Sequence, residues 1–182
     1  WQSWPAYDSA NLSEETLQSM MLVRRVVEMG LSLRKEAGIK VRQPLQSLVV
    51  SNLQLSQELQ QIIGEELNVY EVVFGEKKQG EGWKVKEDKD FSVSLCTVIT
   101  EELRRAGMLR DMIRAVNGLR KEAGLTPEDT AKVAFHAIDK IYSEVLLAEQ
   151  DAFIRATRVT LLPEDGSISV TEGEGIQFVI VA

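Results

Sequence analysis

Apolar residues recur three and four apart over two long stretches of the chain, and the two stretches match each other. Val23, Val26, Val27, Gly30, Leu33 and Ala37 fall on one side of a 3.6-residue helix, as do Leu109, Met112, Ile113, Val116, Leu119 and Ala123. Each stretch opens with a hydroxyl residue before two glutamates, Ser13 ahead of Glu14 and Glu15, Thr100 ahead of Glu101 and Glu102. A hydroxyl there accepts from exposed N–H groups, and carboxylates suit the positive end of the helix dipole. Each stretch closes on a glycine, Gly38 or Gly124, where a helix C-terminus favours positive φ, and Thr126-Pro127 sets the turn after the second.

The segments after the two helices also alternate alike. β-Branched and apolar residues predict strands over 47–50 and 132–136, second helices over 55–64 and 139–153, and second strands over 69–74 and 157–161. Turn-rich segments come next, with further strands predicted at 83–86 and 91–95 in one half and at 167–171 and 176–181 in the other. Each half therefore reads helix–strand–helix–strand–hairpin. That is an α+β class with small mixed sheets covered by helices.

The two halves are copies. Leu33-Arg34-Lys35-Glu36-Ala37-Gly38-Ile39 returns 86 positions later as Leu119-Arg120-Lys121-Glu122-Ala123-Gly124-Leu125. At the same offset Val23, Arg24, Val26 and Val27 meet Leu109, Arg110, Met112 and Ile113, so residues 14–95 should superpose on 100–181.

Composition narrows the possibilities. With 182 residues, 44% hydrophobic and 27% charged, the chain holds one ordinary domain or two small ones and is not a disordered tail. No apolar run nears the roughly 18–20 residues of a bilayer span, and the N-terminus lacks a signal-peptide pattern. The lone Cys96 cannot form an internal disulfide and the lone His136 cannot build a zinc site, which points to a reducing, cytoplasmic setting. A start at Trp1 rather than Met suggests a piece of something longer.

The net charge of -7 speaks against nonspecific nucleic-acid binding by the whole surface. Positive charge is nonetheless concentrated. Residues 21–45 carry Arg24, Arg25, Arg34, Lys35, Lys40 and Arg42 against Glu28 and Glu36, a local +4. Residues 100–124 carry Arg104, Arg105, Arg110, Arg114, Arg120 and Lys121 against four carboxylates, a local +2. An anionic partner would meet two helices.

Catalytic patterns are missing. The Gly75–Gly82 stretch has glycines but no Lys-Ser/Thr step into a helix, so it reads as a hairpin loop rather than a phosphate loop. No serine sits in a nucleophile elbow, and Cys96 and His136 read as packed strand residues. Pairs such as Glu65-Glu66 lie at element ends, where solvation suffices. The cations of 34–45 carry two open readings on physics alone: they complement a helix C-terminus, or they touch successive phosphates while Arg or Gln reaches base edges.

The run Lys35-Glu36-Ala37-Gly38-Ile39-Lys40-Val41-Arg42-Gln43-Pro44-Leu45 resembles the C-terminal region of isoleucyl-tRNA synthetases, and Thr100-Glu101-Glu102-Leu103-Arg104-Arg105-Ala106-Gly107 through Leu125 resembles the module closing them. Trp4-Pro5 fits the same family's entry into the helix, so the resemblance covers essentially the whole chain. It implies three parts: residues 1–45 ending a helical anticodon-binding domain, a first α+β unit at 46–98 and a second at 99–182. It also implies binding of isoleucine tRNA near the anticodon stem-loop, with the rest of the synthetase as a further partner and no membrane. Arg24, Arg34, Lys35, Lys40, Arg42 and Gln43 match the basic helix and motif; Arg110, Arg114, Arg120 and Lys121 are the repeat-related set.

The family's HIGH-like and KMSKS-like motifs, editing domain and zinc cysteines are missing from these residues. The resemblance thus implies a noncatalytic fragment without a cofactor, ATP and Mg2+ belonging to the parent ligase. The alternative is a structural module that braces the synthetase or dimerises through its sheet edges.

Overall fold

A computed structural model describes residues 13–169 and 175–181. Expectations for Trp4-Pro5 and for residues 170 and 171 lie outside the described residues. Contacts divide the chain into two compact units, residues 1–99 and 100–182.

In the first unit, α1 (Glu14–Glu36) leads into β1 (Leu45–Ser51), α2 (Gln57–Leu67), β2 (Val69–Phe74), β3 (Trp83–Glu87) and β4 (Ser92–Cys96). Ser13 accepts from the Thr16 N–H at 3.2 Å and so starts α1 where the sequence placed it. The sheet runs β2-β1-β4-β3. β1 lies parallel to β2, as a strand–helix–strand crossover requires, and antiparallel to β4, which pairs antiparallel with β3. Val23, Val26, Met29 and Leu33 of α1 pack with Leu48 and Val50 of β1, Ile63 and Leu67 of α2, and Val93 and Leu95 of β4. The predicted stripe is rotated slightly: Met29 is buried, whereas Val27 is half-buried beside the core. Gly30 lets α2 come close, since a Cβ there would sit 2.5 Å from Leu67 Cδ1.

The expected division at residue 45 falls inside this unit, between α1 and the sheet that α1 covers. The physical reason is the α1 stripe, which buries against α2 and the sheet of the same unit.

The second unit holds α3 (Glu101–Glu122), β5 (Ala131–Ala137), α4 (Lys140–Ala148), α5 (Gln150–Thr157), β6 (Val159–Glu164) and β7 (Ile176–Val181). Its sheet runs β6-β5-β7, again parallel on the crossover side and antiparallel on the other. Pro163 is accommodated because β6 is an edge strand. Phe153 stacks on Phe178 with ring centroids 5.7 Å apart, in a core shared with Met112, Val116, Val133, Phe135 and Leu146.

Two expectations for this unit are corrected. The single helix over 139–153 is two helices meeting at Glu149, which takes φ -109 and ψ 23, and the second continues to Thr157. The predicted strand over 167–171 does not form over 167–169, because Asp165 folds that stretch into a turn. Its carboxylate accepts from the Ser167 N–H at 2.9 Å and its carbonyl from the Ile168 N–H at 3.2 Å. The sheet accordingly has three strands among the described residues, against four in the first unit.

Candidate nucleic-acid interface

The repeated motif builds the same helix ending twice. Ile39 N–H donates to the Arg34 carbonyl at 2.9 Å and Gly38 N–H to that of Lys35 at 3.1 Å; Leu125 and Gly124 do the same with Arg120 and Lys121 at 3.0 Å each. This paired pattern needs a left-handed residue, supplied by Gly38 at φ 68 and Gly124 at φ 73.

The two motif arginines complete that ending from inside. Arg34 is 1% exposed, and its guanidinium donates to the carbonyls of Leu67 and Asn68 at the end of α2 and of Lys40 and Gln43 in the loop after α1. Arg120 is 6% exposed and donates to the carbonyls of Thr126, Asp129 and Arg158. In both units the loop carbonyls lie six and nine residues beyond the arginine. Arg34 and Arg120 are therefore corrected: sequence placed them among RNA ligands, and the structure turns their guanidiniums inward to backbone carbonyls at helix ends and in loops, of which those of Lys40, Asn68 and Thr126 accept a backbone N–H as well.

The loop behind Arg34 is tied down from a second side, as Asn68 Nδ2 donates to the carbonyls of Val41 and Arg42 at 3.0 Å each. Gln43 is half-buried, its side-chain amide donating to the Pro44 carbonyl at 3.1 Å and its own carbonyl held by Arg34. The backbone of 40–43 is thus a fixed platform. From it Lys40 projects into solvent, and Arg42 is half-buried.

The remaining candidates lie on helix faces. Arg24 and Lys35 are exposed and eleven residues apart, on one face of α1 and about 16 Å along its axis. Between them at helical spacing stand Glu28 and Leu31. Arg110 and Lys121 occupy the equivalent exposed positions on α3, but there Arg114 and Asn117 stand between them. The α3 face is the more continuously basic of the two. Arg25, part of the local +4, is already committed: it pairs with Asp88, reaches Asp90 at 3.6 Å and lies 5.1 Å over the Phe91 ring.

A cavity of about 760 Å³ in the first unit is poorly suited to phosphates, because Glu76, Glu87, Asp88 and Asp90 outnumber Lys77 and Lys89 in its lining. Lys77 holds the Glu87 carboxyl below its ordinary range, and the Lys89 N–H, then Arg25, do so for Asp88, so both stay ionised at neutral pH. Exposed Arg155 and Arg158 escaped the sequence reading, since no repeat or motif marks them. Aligning the ends of α2 and α5 finds them, where the first unit has Glu65 and Asn68. Among the described residues no His/Cys/Asp/Glu group fit to hold a metal occurs.

No family model matches the chain. Curated relatives do. The isoleucine–tRNA ligase of Streptomyces coelicolor is 29% identical over 209 aligned positions, covering 75% of this chain and 20% of that protein. That of Thermobifida fusca is 26% identical and covers 95% of this chain and 22% of the relative, and that of Cutibacterium acnes is 26% identical over 90% and 22%. An alignment of 209 positions exceeds the 182 residues here, so the relatives carry additional residues within the matched region. Over most of its length, then, this chain resembles about one fifth of an isoleucine–tRNA ligase.

Proposed function

We propose that these residues are a noncatalytic, tRNA-contacting part of an isoleucine–tRNA ligase, acting in the cytoplasm and meeting isoleucine tRNA near its anticodon stem-loop. ATP and Mg2+, with the joining of isoleucine to tRNA, would belong to the rest of such a ligase. The observation that carries the reading is exposed cations at repeated positions of both long helices, Arg24 and Lys35 on α1 and Arg110 and Lys121 on α3, joined there by Arg114, in a chain of net charge -7. Lys40 and Arg42, on the immobilised loop, extend the first face. Cations in such rows neutralise successive phosphates, and a fixed loop positions polar groups against unstacked bases.

The test is titration of a labelled isoleucine tRNA transcript with the 182-residue chain between about 50 and 200 mM salt. Binding should weaken steeply with salt, and each cation replaced by Ala should lower the log–log slope by about 0.7–0.9 for every phosphate no longer neutralised. Arg24→Ala/Lys35→Ala/Lys40→Ala and Arg110→Ala/Arg114→Ala/Lys121→Ala should both bind more weakly. Wild-type chain that leaves the tRNA free at low salt defeats the reading.

A further inference from the structure

We propose that the second unit grips an RNA strand by its phosphates in a groove between the C-terminal ends of α3 and α5, through Asn117, Lys121, Arg155 and Arg158. This inference rests on the RNA-binding reading and gives it a specific seat. The groove has a volume of about 440 Å³ and is lined by four cationic residues with no carboxylate among them. Arg120 is the fourth cation, and it faces inward to backbone carbonyls. Lys121, Arg155 and Arg158 are exposed and make no ion pair with a described residue.

Three further observations separate this groove from ordinary surface charge. First, Asn117 and Lys121 belong both to the groove and to the basic face of α3, so Arg110 and Arg114 lead into it along one helix. A strand following that face would enter the groove without crossing acidic surface on α3's exposed row. Second, the equivalent positions of the first unit carry Leu31, Lys35, Glu65 and Asn68, so the shared scaffold does not itself demand arginine there. Third, Arg158 takes φ 51, a left-handed conformation in which the first unit uses Asn68 at φ 50. Asn accepts that conformation more readily than Arg does, so the local backbone preference does not explain an arginine there.

Dipole complementation at two helix C-termini accounts for some positive charge here. It does not account for cations converging from two helices on one concavity, Arg158 at the C-cap of α5 among them. A groove of this kind suits the extended, sequence-tolerant run of charge on a nucleic-acid backbone.

The experiment transplants the first unit's residues, Arg155→Glu with Arg158→Asn, into the 182-residue chain and measures its affinity for labelled isoleucine tRNA at several salt concentrations. Both sites are exposed and Asn suits the left-handed position, so the melting temperature should hold, which is checked alongside. Affinity at about 50 mM salt should fall about ten-fold or more, and the log–log salt slope should drop by at least about 1. Wild-type affinity and slope in the transplant overturn the groove while leaving RNA binding intact. Absence of tRNA binding by the wild-type chain sinks both. Inorganic phosphate that displaces the tRNA beyond the effect of matched ionic strength marks a small-anion pocket, and also overturns the proposal.

Discussion

The ends of α1 and α3 are built from the same residues with nearly the same hydrogen bonds, yet their surroundings carry opposite arrangements of charge. In the first unit Lys40 and Arg42 stand on the loop and Glu65 and Glu66 at the end of the neighbouring helix. In the second, the loop is Thr126-Pro127-Glu128-Asp129 and the neighbouring helix ends in Arg155 and Arg158. The arginine that satisfies backbone carbonyls from the interior is held constant. The solvated surface varies, and there exchanging one charge for another costs little stability. The repeat thus marks a structural device, and differences between the copies mark where binding is to be sought.

Removing that device should give the largest effect. Arg34→Met removes four hydrogen bonds to backbone carbonyls, of which those of Lys40 and Asn68 keep a backbone N–H donor, and the unfolding free energy should fall by about 3–5 kcal/mol. Arg120→Met removes three such bonds, one of them at 3.3 Å, while the Thr126 carbonyl keeps the Asp129 N–H, and should cost about 2–3 kcal/mol. Arg34→Lys should recover little, because one ammonium cannot fork to acceptors on two segments. Urea unfolding measures all three; a larger loss for the Arg120 variant would reverse the expected ordering.

A smaller effect tests how the copies solve the same packing problem differently. The first unit sets Gly30 against Leu67, whereas the repeat places buried Val116 and Thr157 at the equivalent positions of the second. Gly30→Val should destabilise by about 1–3 kcal/mol through overpacking. Combined with Leu67→Thr, whose hydroxyl can bond back to the preceding turn as Thr157 does to Phe153 at 2.7 Å, the loss should be less than the sum of the single losses. Strict additivity would mean that the two positions do not compensate each other.

The smallest effect is a pH dependence confined to the second unit's loop. The Thr126 backbone N–H, followed by its hydroxyl, donates to the Asp129 carboxylate and holds its pKa below the ordinary value. A depressed folded pKa contributes stability above the unfolded value near about 4, lost as pH falls through the folded value. Asp129→Asn should therefore flatten part of the acid limb of a stability–pH profile, through a small loss of stability at pH 7 that disappears in acid. The first unit has Gln43 at this position and should show no counterpart, which Gln43→Asn would confirm by leaving the acid limb as it was.

Much of the fold was legible because its signals are local. The bounds of β2 and β7 follow from apolar and β-branched runs, interrupted only by Glu71 and Gln177, and both long helices follow from their caps and stripes. The break at Glu149 was not legible, since neither glycine nor proline marks it. The turn at 165–168 competed with a plausible strand and won through a side-chain hydrogen bond. In the candidate interface, Lys35, Lys40, Arg110, Arg114 and Lys121 are exposed as a surface role requires, but Arg34 and Arg120 could not be distinguished from them by spacing. A guanidinium in a motif looks alike whether it faces water or carbonyls from residues 67 and 68.

Sequence by itself determined the two-copy organisation, the α+β class, the helix ends and the clustering of cations, because these rest on periodicity, capping and charge within short stretches. Only the tertiary structure decided which cations remain on the surface and that Arg155 and Arg158 converge with Lys121. The reason is that burial and convergence depend on acceptors and neighbours brought from tens of residues away, and chain spacing carries no record of that approach.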